Sequence, residues 1–260
     1  MNVLVIGAGK MVEAILVGLK NVEDLSNWTI FSPSGISAKN LASMVGAKFS
    51  SNLDEIDPHW VLIGCKPQHL GDLSLKLGNR FKDRPHMSLL AAIPEEDQRR
   101  ILGVKKLVRV MPNLPVKYGE GVTLLSSESS KEELKLIEII FSKLGNCLIL
   151  NEKELEELTL LSGSGPALFY EFCSILACSF QSLTPDNREI LVKKVFFGAA
   201  KAASMETQTL SQMTNAVTSK GGVTRAVLDE WERVKLSELI QKGIDAGKKR
   251  TVEIKASLQN

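Results

Sequence analysis

The stretch LVIGAGKMVEAI, residues 4–15, constrains the fold more than any other part of this 260-residue chain. It begins as a β-forming apolar run, turns through two glycines and continues with apolar residues at helical spacing, so it predicts a strand, a tight turn and a helix. A helix that carries the chain back in this way sets up a second strand parallel to the first. Gly7 suits the turn leaving the strand, and Gly9, lacking a side chain, lets backbone come close to a pyrophosphate at the helix N-terminus. The third position of the GxGxxG pattern is Val12, which pushes helix and sheet only slightly apart.

The same alternation continues to about residue 150. Short β-like runs at 3–6, 28–31, 61–64, 88–91, 107–111 and 147–150 are separated by amphipathic stretches at 12–20, 38–45 and 131–144. Ser129 and Ser130 read as the cap of the last of these, with Glu132 and Glu133 in its first turn. Beyond residue 150 strand-like runs vanish, and helical stretches follow at 152–161, 166–181, 185–205, 210–217 and 224–258, the last with breaks at Gly243 and Gly247. SGSGP, LTPDN and SKGG read as the turns between them. The expected architecture is α/β: a doubly wound, mostly parallel sheet over residues 1–150, then an all-helical domain over 151–260.

Charge excludes some partners. With 32 basic and 30 acidic residues the net charge is +2, so no field gathers nucleic acid or an acidic membrane. Cys65, Cys147, Cys173 and Cys178 show no CxxC spacing and sit in apolar surroundings, which reads as reduced core thiols of a cytoplasmic protein. His59, His69 and His86 accompany no Cys or carboxylate at ligand spacing, so no metal is proposed. The opening residues lack the basic flank and cleavage site of a signal peptide. The apolar segment 167–180 is too short to cross a bilayer and reads as a helix buried in a bundle or a subunit interface.

The second strand ends in FSPSGIS, with no acid where NAD-binding sheets place one on the ribose hydroxyls. Ser32 and Ser34 can donate to a 2′-phosphate, so NADP is favoured over NAD. Near the other end, Gly221 and Gly222 leave free amides at the start of a helix, and with the Thr224 hydroxyl they make a receptor for one carboxylate. Ordinary N-capping by Thr224 is compatible with that role.

GAGKM at 7–11, CKPQ at 65–68, RVMPNLP at 109–115, SGSGPA at 162–167 and SKGGVTRAV at 219–227 occur in the order and spacing of one family. In these motifs the chain resembles pyrroline-5-carboxylate reductase. The resemblance implies a Rossmann-type domain, a helical C-terminal domain that forms a homodimer, and hydride transfer from NAD(P)H to the cyclic imine carbon of pyrroline-5-carboxylate. Larger rings of dimers also occur in the family. Gly7, Ala8, Gly9, Lys10 and Met11 would form the phosphate turn, Asn52 would meet the adenosine half, and Cys65, Lys66 and Pro67 would border the ribose and phosphates. Met111, Pro112 and Asn113 would lie near the nicotinamide.

Ser162, Ser164, Gly221, Gly222, Val223 and Thr224 would bind the substrate, and Thr224 is the candidate catalytic residue, its hydroxyl or water giving the second proton. The chain departs from the family pattern at several points. SPGGTT is here SKGGVT, with Lys220 and Val223; His-Pro is Thr209-Leu210; an acid is Asn215; MPNTP has Leu114; and AAG is Leu90-Ala91-Ala92. These changes leave two alternatives beside proline formation: a reductase of another small imino or keto acid, or a silent nucleotide-binding paralogue.

Overall fold

The structure is a computed structural model that describes residues 1–32 and 35–259. Two compact units divide the chain: residues 1–166 together with 250–260, and residues 167–249.

The first unit is built on an eight-stranded sheet in the order β3-β2-β1-β4-β5-β6-β7-β8. The strands are β1 (Val3–Ile6), β2 (Trp28–Phe31), β3 (Lys48–Phe49), β4 (Trp60–Ile63), β5 (His86–Ser88), β6 (Leu107–Pro112), β7 (Gly121–Ser126) and β8 (Gly145–Ile149). All neighbours pair in parallel except β6 and β7. A strand of a doubly covered sheet must be apolar on both faces, and β1 is. Val3 and Val5 join the cluster on one face with α1 (Lys10–Lys20), α2 (Ile36–Val45) and α5 (Lys131–Phe141). Leu4 and Ile6 join the cluster on the other with α3 (Leu70–Leu77) and α4 (Glu95–Leu102).

β3, β7, α3 and α4 are absent from the sequence reading. β3 is two residues long and α3 and α4 eight each, too short for a periodicity to declare itself. The expected side-chain cap by Ser129 and Ser130 is not made: Ser130 caps α5 with no side-chain hydrogen bond. Buried Glu95 instead accepts from the amides of Glu128 and Ser129, at 2.8 and 3.1 Å.

SGSGP is not a turn. α6 (Glu152–Cys178) runs through it as one 27-residue helix with Pro166 inside. By length and composition this helix could cross a membrane, which the apolar run 167–180 alone does not indicate. The final break also lies elsewhere: α9 (Val223–Arg233) and α10 (Leu236–Gln259) part at Lys235, with φ +57°, while Gly243 and Gly247 stay helical. Interior glycines cost a helix about 1 kcal/mol each, which a long helix absorbs.

The second unit holds the end of α6, α7 (Pro185–Met205), α8 (Leu210–Ala216), α9 and α10 as far as Lys249. Phe169 and Phe172 meet Phe196 edge-on, and Phe172 meets Trp231. No residue of α7, α8 or α9 is buried. Ile175 on α6 and Ile190, Val195 and Phe197 on α7 are all exposed, so these helices carry an uncovered apolar surface. Cys178 is exposed rather than a core thiol, while Cys65, Cys147 and Cys173 are half-buried.

His86, on β5, is 1% exposed and its Nδ1 lies 2.8 Å from the carbonyl oxygen of Arg84. Burial pushes its pKa down to about 4. Between pH 6.5 and 4 the unfolded chain takes up a proton that the folded chain refuses. Stability is therefore full above pH 6.5 and falls by up to about 3 kcal/mol as pH drops to 4. Denaturant titrations across that range should show this slope in the wild type and lose most of it in His86→Leu.

Candidate active site

β1 ends at Ile6, and the chain turns at Gly7 with φ +109°, a conformation that only glycine adopts without strain. A Cβ there would stand 2.7 Å from the carbonyl oxygen of Gly64, the residue that follows β4. The carboxyl ends of β1 and β4 are thus held in close contact, at the point where the strand order reverses and open α/β sheets bind ligands. Gly9 caps α1 in extended conformation with no side-chain hydrogen bond, and a Cβ on it would meet nothing within 4 Å. The first amides of α1 are left without side-chain partners at the positive end of the helix dipole.

This turn opens on a cleft of about 550 Å³ lined by Gly7, Ala8, Gly9, Ser32, Cys65 and Lys66. Backbone donors, a lysine and an uncovered Gly9 are what a dinucleotide's pyrophosphate requires, so the residues fit that group. Burial pushes the Cys65 thiol up, which keeps it a neutral wall of the cleft. A second hollow, of about 740 Å³, is lined by Pro67, Gln68, Ala91, Ala92, Gly163 and Ser164. Ala92 has φ +64° and so holds a left-handed conformation with an alanine side chain. Arg109, 2% exposed, borders the same hollow and pairs with Glu152 at 2.5 Å and Glu156 at 3.8 Å, while Glu156 also pairs with Lys255.

Two of the motifs meet through a single side chain. Pro166 has no N–H, so the carbonyl of Ser162, four residues earlier in α6, loses its helical donor. Asn113 supplies one: its Nδ2 donates to that carbonyl at 3.1 Å. Its Oδ1 accepts from the amide of Val122 on β7 at 2.9 Å, so one amide group joins the end of β6 to β7 and to α6. MPN and SGSGP, 49 residues apart, are one structural unit.

Comparison with known proteins agrees with this geometry. The family model described as pyrroline-5-carboxylate reductase dimerisation matches residues 152–254. A pyrroline-5-carboxylate reductase from Pisum sativum is 30% identical over 257 residues, which cover 96% of this chain and 94% of that protein. The chain belongs to the pyrroline-5-carboxylate reductase family. The Coxiella burnetii pyrroline-5-carboxylate reductase structure superposes with a TM-score of 0.84 at 26% identity, covering 97% of each chain. The Streptococcus pyogenes 1-pyrroline-5-carboxylate reductase structure gives 0.84 at 26%, over 99% of this chain and 98% of that one. The expected fold, a Rossmann-type sheet followed by helices, is thereby shown.

Within this family member the expected site residues fall into groups. Gly7, Ala8, Gly9, Ser32, Cys65 and Lys66 share the first cleft, and Pro67 and Ser164 line the second. Lys10 and Met11 open α1. Met111 and Pro112 are buried in β6, Met111 packing with Leu124 and Leu155. Asn52 stands on an exposed loop, its side chain donating to Glu55 at 3.0 Å. The Ser162 hydroxyl is buried with no hydrogen-bond partner among the described residues. Ser34 lies outside the described residues. In the second unit, Gly221 has φ +71°, Gly222 caps α9, and Val223 and Thr224 begin it. Thr224 is therefore inside the first turn rather than the cap.

Phe31, Asp72 and Lys76 also line the first cleft. The sequence reading misses the last two because it misses α3, although Leu70, Leu73 and Leu77 carry a short helical stripe.

Asn113→Ala should leave the Ser162 carbonyl and the Val122 amide unpaired and cost about 2–3 kcal/mol in chemical denaturation. Adding Pro166→Ala restores the missing N–H, so the double variant should recover about half of that loss.

Proposed function

We propose that this chain reduces 1-pyrroline-5-carboxylate to L-proline, the last step of proline biosynthesis, with NADPH as hydride donor and NADH as a weaker substitute. The observation that carries the reading is the Gly7–Gly9 turn over a lysine-bearing cleft at the carboxyl ends of β1 and β4, in a chain that belongs to this family. Residues 1–150 serve as the dinucleotide-binding domain and residues 151–260 as the dimerisation and substrate domain. The bound cofactor supplies the hydride.

The chain's own residues orient the reactants. Gly7 makes the turn, its own amide donating to the Phe31 carbonyl at 2.8 Å, and Ala8, Gly9, Lys10 and Met11 receive the pyrophosphate on backbone amides; Lys66, Cys65 and Pro67 border the ribose and phosphates; Ser32, Ser34 and Asn52 take the adenosine half. Met111, Pro112 and Asn113 keep their places near the nicotinamide, Asn113 by fixing the end of β6 against α6. The Gly222 amide, expected to be free, is spent on the Ser219 carbonyl at 3.0 Å, so the amides of Gly221 and Val223 and the Thr224 hydroxyl, which has no partner among the described residues, hold the substrate carboxylate at the N-terminus of α9. Ser162 and Ser164 offer hydroxyls to the ring. A protonated cyclic imine is already electrophilic, so acceleration comes mainly from positioning. Thr224 or water gives the second proton.

The uncovered apolar surface on α6 and α7 supports a homodimer, and larger rings of dimers are the family's further option; a cytoplasmic location rests on the unpaired cysteines of the sequence.

Purified protein should oxidise NADPH on addition of pyrroline-5-carboxylate, and Thr224→Ala should lower kcat/KM about ten- to hundredfold, the loss of one charge-assisted hydrogen bond. Turnover only with other imino or keto acids, or cofactor binding with no turnover, would overturn the reading. Phe197 is 71% exposed. Phe197→Glu should convert the dimer to a monomer in light scattering, because a buried unpaired carboxylate has no place in an apolar interface.

A further inference from the structure

The segment between Phe31 and Lys39 contains no basic residue. A phosphate on the adenosine ribose, which lies at the carboxyl end of the second strand in dinucleotide-binding sheets, would find hydroxyls there but no counter-charge. A counter-charge reaches that place from another element. Lys76, on α3, holds its Nζ 4.7 Å from the ring centroid of Phe31, the last residue of β2, and lines the same cleft as Ser32 and Ser37.

Lys76 forms no ion pair among the described residues. The ring beneath it keeps the ammonium over the strand end through a cation–π contact. Asp72, one turn earlier on α3, also lines the cleft, but Lys66 and Lys76 outnumber it. The dibasic balance favours an anion larger than the pyrophosphate alone.

We infer that Lys76 is the residue that sets the preference for NADPH over NADH, by placing its ammonium against the 2′-phosphate from the helix after β4. The inference rests on the NADPH-dependent reading above and deepens it. A lysine pairs with phosphate as a point charge, so its side chain need only sit within reach, and an arginine can replace it.

The test is fluorescence titration of the full-length protein with NADPH and with NADH. The wild type should bind NADPH more tightly. Lys76→Met should weaken NADPH about tenfold or more and leave NADH within twofold, which also shows that the fold and the pyrophosphate turn are intact. Lys76→Arg should keep most of the NADPH affinity. Equal weakening of both cofactors, or an unchanged ratio in Lys76→Met, overturns the inference while the NADPH reading stands. A wild type that binds NADH as tightly as NADPH overturns both.

Discussion

The first unit depends on one side-chain amide. Asn113 donates to the carbonyl that Pro166 strips of its helical partner, and accepts from the strand beside it. Both halves of the group are in use, so neither an acid nor an apolar residue of similar size can stand in for it. The proline inside α6 is thereby part of a joint: it releases a carbonyl that a strand-end asparagine then binds. The helix that leads into the second unit is pinned to the sheet at the point where the second hollow is formed.

The cleft and the second hollow are assembled from strand ends. β1 contributes the glycine turn, β2 the serine, β4 the Cys-Lys-Pro loop, and β5 leads to Ala91 and Ala92. Their common edge follows from parallel pairing, which brings every carboxyl end to the same side. The turn is closely packed: a methyl group on Gly7 would collide with the Gly64 carbonyl, and one on Gly64 with the Val12 side chain. The arrangement is one of fixed backbone donors at the glycine turn, which suits a reaction in which the reagents carry the chemistry and the protein aligns them.

Fold class was readable from the switch between β/α alternation and uninterrupted helical pattern near residue 150, and the last strand does end at Ile149. The glycine turn after β1 was readable because glycine there has a local steric cause. Elements whose existence depends on tertiary packing were not: β3 is two residues long, and α3 is eight. SGSGP was read as a turn because Ser, Gly and Pro all disfavour helix interiors, and nothing local reveals that a residue 49 positions away satisfies the freed carbonyl. The break at Lys235 escaped for the opposite reason: a lysine adopts the left-handed conformation while two nearby glycines remain helical. Cleft-lining residues on loops after predicted strands were within reach of the sequence; Asp72 and Lys76, which line the same cleft from α3, were not.

Ala92 stands where the family pattern has glycine and holds a left-handed backbone conformation, at φ +64°. Holding an alanine there costs about 1–2 kcal/mol, which the strands and helix on either side must supply. The floor of the second hollow is therefore under tension imposed by its surroundings. Loosening of β5 or of α4 would release it first, and the shape of the chamber would change before the sheet itself began to open.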